Sequence, residues 1–415
     1  MCRTVSFTSL ASRALLGIAA LVALGAAAAH SLRLALADRA FRLGTVSGAI
    51  RAVELAPADS QYWRGLAVRK GNGRAEFSRA LSLNPRDAQT WTEAGLAHEV
   101  AGEHIAAERN LLEAARYDRT WKPLWTLTNY YFRRGDNARF QEWARRTAEL
   151  APEDAGPLVQ LCWEMRPDPQ TFLEVLPRKP ELLAQALAFA FRRDHPKRCM
   201  SLAERLLEVA TPREAPILLE FCDRLISTGP QCPGCLGEAV RLWKELLRGG
   251  LVPHRSPYFD ESSVNPSLIQ PFLARGFDWR INNIEGVHST SRGQRFTLVL
   301  SGLQPESCEL FYRLSPARPG RRHEIRYRYA GRGLKLNSGV YWRVSDGYSR
   351  RLLAHSPDLV GGEGVREDRF SFGSPPETLL WRISLLQERR SGAVRADSEI
   401  VWEEVTLTTS EEEGP

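Results

Sequence analysis

The side chains best suited to holding a ligand lie late in this 415-residue chain. Arg326, Arg328, Tyr341, Arg343, Arg382 and Trp402 alternate with apolar residues in short runs, so period-two counting places them opposite an apolar face. Aromatic rings beside arginines can form a sugar platform: a ring face stacks on the apolar side of a pyranose, and a guanidinium fork reaches hydroxyls or acidic groups. The same pattern also describes a plain solvated face, because alternating sheets put polar residues outside. A second pattern is Cys232-Pro233-Gly234-Cys235, the one pair with motif spacing among seven cysteines. It opens a helical stretch, where a thiol's pKa falls, but no strand precedes it as a redox motif requires. A structural zinc site wants a second such pair, so a local disulfide or plain turn thiols rank first, metal second and redox catalysis last.

Other chemistry is absent from the motifs. There is no phosphate-cradling glycine loop, no Gly-x-Ser-x-Gly elbow and no His-Glu-x-x-His, and of the eight histidines only His98 and His104 lie close, across a turn. A non-catalytic protein without cofactor or bound metal is expected. The formal charge of +7 comes from arginine, since only six lysines occur, and the arginines are spread. No basic stripe interleaved with stacking aromatics appears, so a nucleic-acid partner is not expected.

The elements that must position the arginines are strands. "QRFTLVLSG", "CELFYRLSP", "HEIRYRYAG", "GVYWRVSDG", "EDRFSFG", "TLLWRISLL" and "EIVWEEVTLTT" are bounded by Gly, Pro, Ser and Asp and predict a two-sheet sandwich over residues 251–410. Its core set is Phe296, Leu298, Leu300, Ile325, Tyr327, Tyr329, Val340, Trp342, Val344, Leu379, Trp381 and Ile383. The opposite parity carries the arginine and tyrosine set and, from the last run, Trp402 and Glu404. A proline-rich segment beyond Gly250 marks the entry to this domain, and 411–415 are expected to form an acidic disordered tail.

Upstream, residues 43–250 read as helices. Trp91 recurs as Trp125 and Ala114 as Ala148, each 34 residues on, and Gly102 is answered by Gly135. Each unit holds an aromatic-led helix, a glycine turn and an alanine-rich helix, and one such hairpin cannot bury its own apolar face. Trp91, Gly95, Gly102, Ala107, Leu111 and Ala114 stand at the spacing of the tetratricopeptide repeat (TPR), which this stretch resembles. The preceding unit keeps Trp63, Ala80 and Pro85 but is six residues short, and the resemblance weakens beyond Ala155. It implies an α-solenoid whose groove docks protein partners.

The last part, from "GFDWRI" (Gly276 to Ile281) through the hairpin around Arg318 to the closing "SEIVWEEVTLTT", resembles jelly-roll domains of the carbohydrate-binding-module type. It looks like the domain that ends some envelope-associated TPR proteins of bacterial polysaccharide export and exosortase-linked systems. That likeness implies a cell-envelope binding or scaffolding role, with polysaccharide as a second possible ligand.

Residues 1–42 complete the architecture. Arg3 and Arg13 precede an uncharged run from Ala14 to Ala29, which covers roughly 24 Å as helix against a hydrocarbon core of about 30 Å. Ala27 and Ala29 offer a signal-cleavage option, yet the helical pattern continues through "LRLALADRAFRL". An uncleaved single-pass anchor in a bacterial inner membrane is expected, with the soluble domains extracytoplasmic. Arg33, Arg39 and Arg42 just beyond the run do not favour that orientation by the positive-inside count. The expected order is thus a membrane helix, a TPR-like α-solenoid and an antiparallel jelly-roll β-sandwich.

Overall fold

The computed structural model describes residues 10–71, 73–152, 154–253, 268, 271–292 and 295–410. The tail at 411–415, the proline-rich stretch at 254–267 and Cys2 lie outside the described residues. The chain forms two compact units, Met1–Arg166 and Pro167–Pro415.

The first unit is helical: α1 (Leu10–Arg42), α2 (Val46–Leu55), α3 (Ser60–Lys70), α4 (Arg74–Leu83), α5 (Ala88–Val100), α6 (His104–Tyr117), α7 (Trp121–Arg134), α8 (Asn137–Glu149) and α9 (Gly156–Met165). The 33 residues of α1 span about 50 Å at helical rise. It is long and apolar enough to cross a membrane, and Leu15, Ile18, Leu21, Val22 and Leu24 are exposed. No break occurs at Ala29. The helix runs on until Ala37 and Phe41 pack against α2 and α3, so its last turns form a hairpin with α2 that the repeat pattern did not announce.

Sequence repetition becomes structural repetition in α3 to α8. Asp59 and Asp87 cap α3 and α5 in the same way, accepting from the amides of Gln61 and Gln89. The Trp63 and Trp91 indoles each donate to a proline carbonyl six residues back, Pro57 at 2.8 Å and Pro85 at 2.9 Å. Gly71, Gly102 and Gly135 end the three first helices at φ of +72°, +78° and +66°, a region that suits a residue without Cβ. Ala52, Ala80, Ala114 and Ala148 form a buried seam on the second helices. A Cβ at Gly95 would lie 2.7 Å from Leu111, so the small residue there lets α5 and α6 close together.

The second unit joins five helices to the strands: α10 (Gln170–Val175), α11 (Pro180–Phe191), α12 (Met200–Leu207), α13 (Ala215–Ser227) and α14 (Cys235–Arg248). Leu183, Leu187, Phe191, Leu218, Phe221 and Leu225 are buried among them. Cys232 and Cys235 form a disulfide in the turn opening α14, the first-ranked local reading. These helices are tied to the sandwich. Asp223 of α13 accepts from Arg280 at 2.8 Å, Arg275 at 3.1 Å and the Gly276 amide at 2.8 Å, while the Tyr348 hydroxyl donates to the Ile226 carbonyl at 2.9 Å. Residues 250 and 251 both belong to this second unit.

The strands are β1 (Arg280–Ile281), β2 (Val287–Arg292), β3 (Arg295–Ser301), β4 (Ser307–Pro316), β5 (Arg322–Arg332), β6 (Val340–Asp346), β7 (Leu352–His355), β8 (Arg366–Gly373), β9 (Leu380–Glu388) and β10 (Asp397–Ser410). They build two antiparallel sheets, β1-β4-β9-β6-β7 and β2-β3-β10-β5-β8. From β3 to β6 and from β8 to β10 successive strands alternate between the sheets, the crossing of a jelly roll. The core between them is aromatic. Trp342 meets Phe311 edge-on at 5.5 Å and Trp402 at 5.2 Å, and Trp279 packs on Phe311 at 5.4 Å. The expected core set lies inside with one exception. Leu379 precedes β9 and is 49% exposed, so the inward series of that strand starts at Trp381.

Candidate functional site

The six candidate residues do not form one cluster. Arg326 and Arg328 stand on the outer face of the β5-containing sheet; Tyr341, Arg343 and Arg382 stand on the outer face of the β6-containing sheet. Trp402 is on neither face. It is 0% exposed and belongs to the aromatic core. The reason is a β-bulge between Trp402 and Glu404, which adds Glu403 to the strand and reverses parity. Ile400 and Trp402 then point inward together with Val405 and Leu407, a reversal that strict alternation cannot foresee.

On the β5 face the arginines are neutralised at the surface. Arg328 reaches Glu403 at 3.0 Å, while Arg326 lies 3.3 Å from Glu324 and 3.7 Å from Glu367. Both arginine side chains remain about half exposed in these pairs. This is an ordinary solvated, ion-paired face.

The β6 face is different. Strand register sets Tyr312, Ser384, Arg343 and His355 in one row and Leu314, Arg382 and Ser345 in the next. A second bulge, between Glu309 and Phe311, brings Glu309 onto the same face as Tyr312 although the two are three residues apart. Arg382 is buried and forms a two-bonded pair with Glu309, its Nε donating to Oε1 at 2.8 Å. The Ser384 hydroxyl donates to the same oxygen at 2.5 Å. Burial pushes the Glu309 carboxyl up, but the hydrogen bonds from Arg382 and Ser384 outweigh it and hold the group below its usual value. The Arg382 guanidinium also lies over the Tyr312 ring, Cζ 3.1 Å from its centre.

Two cations are left over. Arg343 is half-buried, its Nε has no hydrogen-bond partner, and no carboxylate stands within ion-pair distance of it among the described residues. Arg350, exposed in the β6–β7 turn, likewise forms no ion pair among the described residues. Partial burial and the Arg382 cation, with Arg343 adding to it, hold the Arg350 guanidinium below its usual value. With Glu309 committed to Arg382 and Glu388 accepting from Tyr341, Arg343 and Arg350 remain without an ionic partner among the described residues, and this unpaired positive charge would favour an anionic group. Tyr341 does not offer an open platform: its ring sits beneath Arg390, Cζ at 5.0 Å, its hydroxyl donates to Glu388 at 2.8 Å, and it is buried.

Sequence reasoning missed Glu309, Tyr312, Ser384 and Arg350. Alternation would have put Glu309 with Phe311, and only pairing with β9 reveals the bulge. Arg350 lay in a turn, where parity has no meaning.

Nucleophilic chemistry finds no support in the thiols. Cys162 and Cys199 are buried, which pushes each up to about 12, and burial raises Cys222 and Cys308 as well.

No family model matches the sequence, and no curated protein matches it. Solved structures with likeness to parts of the chain include a CBM4 structure, 10% identical with a TM-score of 0.25, covering 32% of this chain and 87% of that one. Another is pilF of Pseudomonas aeruginosa, 12% identical with a TM-score of 0.27, covering 54% of this chain and 93% of that one. A third is YrrB, described as a TPR protein with an unusual peptide-binding site, 13% identical with a TM-score of 0.23, covering 49% of this chain and 93% of that one.

Proposed function

We propose that this chain is a membrane-anchored, non-catalytic scaffold of the bacterial cell envelope, acting in polysaccharide assembly or export, that docks a protein partner on the first helices of its repeats. The observation that carries the reading is a pair of equivalent positions. Val68 and Leu96 each stand five residues after the repeat tryptophan, and they remain 51% and 36% exposed. Apolar side chains at matching places on successive first helices make a strip that a partner can cover. The exposed apolar half of α1, continuous with the packed repeats, supports retention by an inner membrane. The Cys232–Cys235 disulfide suits an oxidising compartment, which supports soluble domains on the periplasmic side. A photo-crosslinking residue at Val68 or Leu96 should join a discrete envelope protein in membrane fractions, and the same residue at Arg326 should not. Equal labelling at all three positions would remove the reading.

A second reading is favoured by Arg343 and Arg350: the sandwich holds an acidic glycan on its β6 face, and the repeats act as a spacer. Its test is titration of the solubilised full chain with neutral and acidic oligosaccharides. Acidic ones should bind, and Arg343→Ala with Arg350→Ala should weaken them about tenfold, with a salt-dependent affinity. Equal affinity for neutral sugars would exclude it.

A further inference from the structure

The second helices of two successive repeats enclose a surface groove that the scaffold reading leaves unused. Leu112, Ala115 and Arg116 share one face of α6, with Arg119 in the loop that follows it, and Trp143 and Arg146 share a face of α8, with Leu150 just past its end. Together with Leu124 of α7 they border a cavity of about 660 Å³. Its floor is apolar: Ala115, Leu124 and Trp143 are buried, while Leu112 and Leu150 at the edges stay 37% and 47% exposed.

Charge on the rim decides the occupant. Of the residues lining the groove three are arginines, Arg116, Arg119 and Arg146, and one, Glu149, is a carboxylate. Arg116 touches Glu113 of its own helix only at 3.4 Å, and Arg146 bonds Glu142 one turn away at 2.7 Å. Arg119 forms no ion pair or side-chain hydrogen bond among the described residues. Exposed pairs within one helix stabilise little, so these guanidinium groups can turn to an incoming carboxylate at small cost. Arg146 also lies over the Trp143 ring, Cζ 4.4 Å from its centre, which keeps the charge at the mouth of the apolar floor.

We propose that this groove binds an acidic amphipathic segment of a protein partner, with one or two leucine or aromatic side chains on the floor formed by Leu124 and Trp143 and flanking carboxylates on Arg116, Arg119 and Arg146. The inference extends the scaffold reading to a second surface and rests on it, but it predicts a different chemistry from the apolar strip at Val68 and Leu96.

The test is selection of a display library of random 14-residue peptides on the detergent-solubilised full chain. Enriched peptides should combine leucine or aromatic residues with Asp and Glu. Arg119→Glu and Leu150→Ser, both changes at exposed positions, should each weaken them about tenfold, and added salt should weaken them further. Arg326→Glu, the same charge reversal on the sandwich, should leave them unchanged. Enrichment of basic or neutral peptides, no enrichment at all, or binding indifferent to Arg119 and Leu150 would overturn the proposal. So would phosphatidylglycerol micelles that bind in an Arg119- and Leu150-dependent way while no acidic peptide is enriched, since the groove would then serve a lipid. Failure here with crosslinking at Val68 and Leu96 intact removes only this groove; failure of both removes the scaffold reading.

Discussion

The two outer faces of the sandwich carry the same residue types and reach opposite electrostatic ends. On the β5 face, Arg326 and Arg328 lie beside Glu324, Glu367 and Glu403 with their own side chains about half exposed, where each pair is worth little and is screened by salt. On the β6 face, one carboxylate is committed to Arg382 in a largely buried pair, and Arg343 and Arg350 are left without ionic partners among the described residues. An arginine-rich face keeps unpaired cations only where the fold withholds the neutralising acid.

Four measurements on the solubilised full chain would break or sharpen that contrast. The largest effect belongs to Trp402, the residue removed from both faces. Trp402→Ala should cost about 3–5 kcal/mol in denaturant unfolding, as expected for an aromatic ring deleted from a core. A change within about 0.5 kcal/mol would return Trp402 to the surface.

Glu309 comes next. Glu309→Ala leaves Arg382 buried without its anion and should cost about 3 kcal/mol, whereas Glu403→Ala on the opposite face should cost about 0–1 kcal/mol. Equal costs would erase the distinction between the faces.

Acid titration reads the same pair more gently. The folded-state pKa of Glu309 lies below its ordinary value, so the stability this carboxylate contributes is present above the ordinary value and is lost as pH falls through the folded one. Between about pH 5 and 3 the wild-type unfolding midpoint should therefore fall more steeply than that of Glu309→Gln. Parallel curves would mean that the carboxyl is not held low.

The smallest stability effect is expected at Arg343. Arg343→Ala should move stability by no more than about 0.5 kcal/mol, because no ion pair is lost, while weakening the binding of an acidic oligosaccharide. A large loss of stability would instead make Arg343 a structural residue.

Much of the fold was legible because it is written in local periods. The repeat tryptophans, the Ala114 and Ala148 seam and the turn glycines each report one helix face or one turn, and the structure uses them that way. Seven strands were legible from alternation. β1, β2 and β7 were not: two are very short, and "VHSTSR" in β2 has no apolar alternation because it pairs at a sheet edge. The candidate site was far less legible. Parity separated inside from outside for Arg326, Arg328, Tyr341, Arg343 and Arg382, but it misplaced Trp402 and Leu379 and could not reveal that the outside consists of two faces.

By itself the sequence determined which segments are helical or extended, where the small residues of the repeats must sit, and that an apolar helix precedes them, because those properties depend on neighbours within a few residues. Tertiary structure alone decided which arginines share a face, which tyrosine is covered and which cation lacks an acid. Those outcomes depend on bulges that exist only through cross-strand pairing, and on partners as remote as Glu309 and Arg382, 73 residues apart in the chain and hydrogen-bonded in the fold.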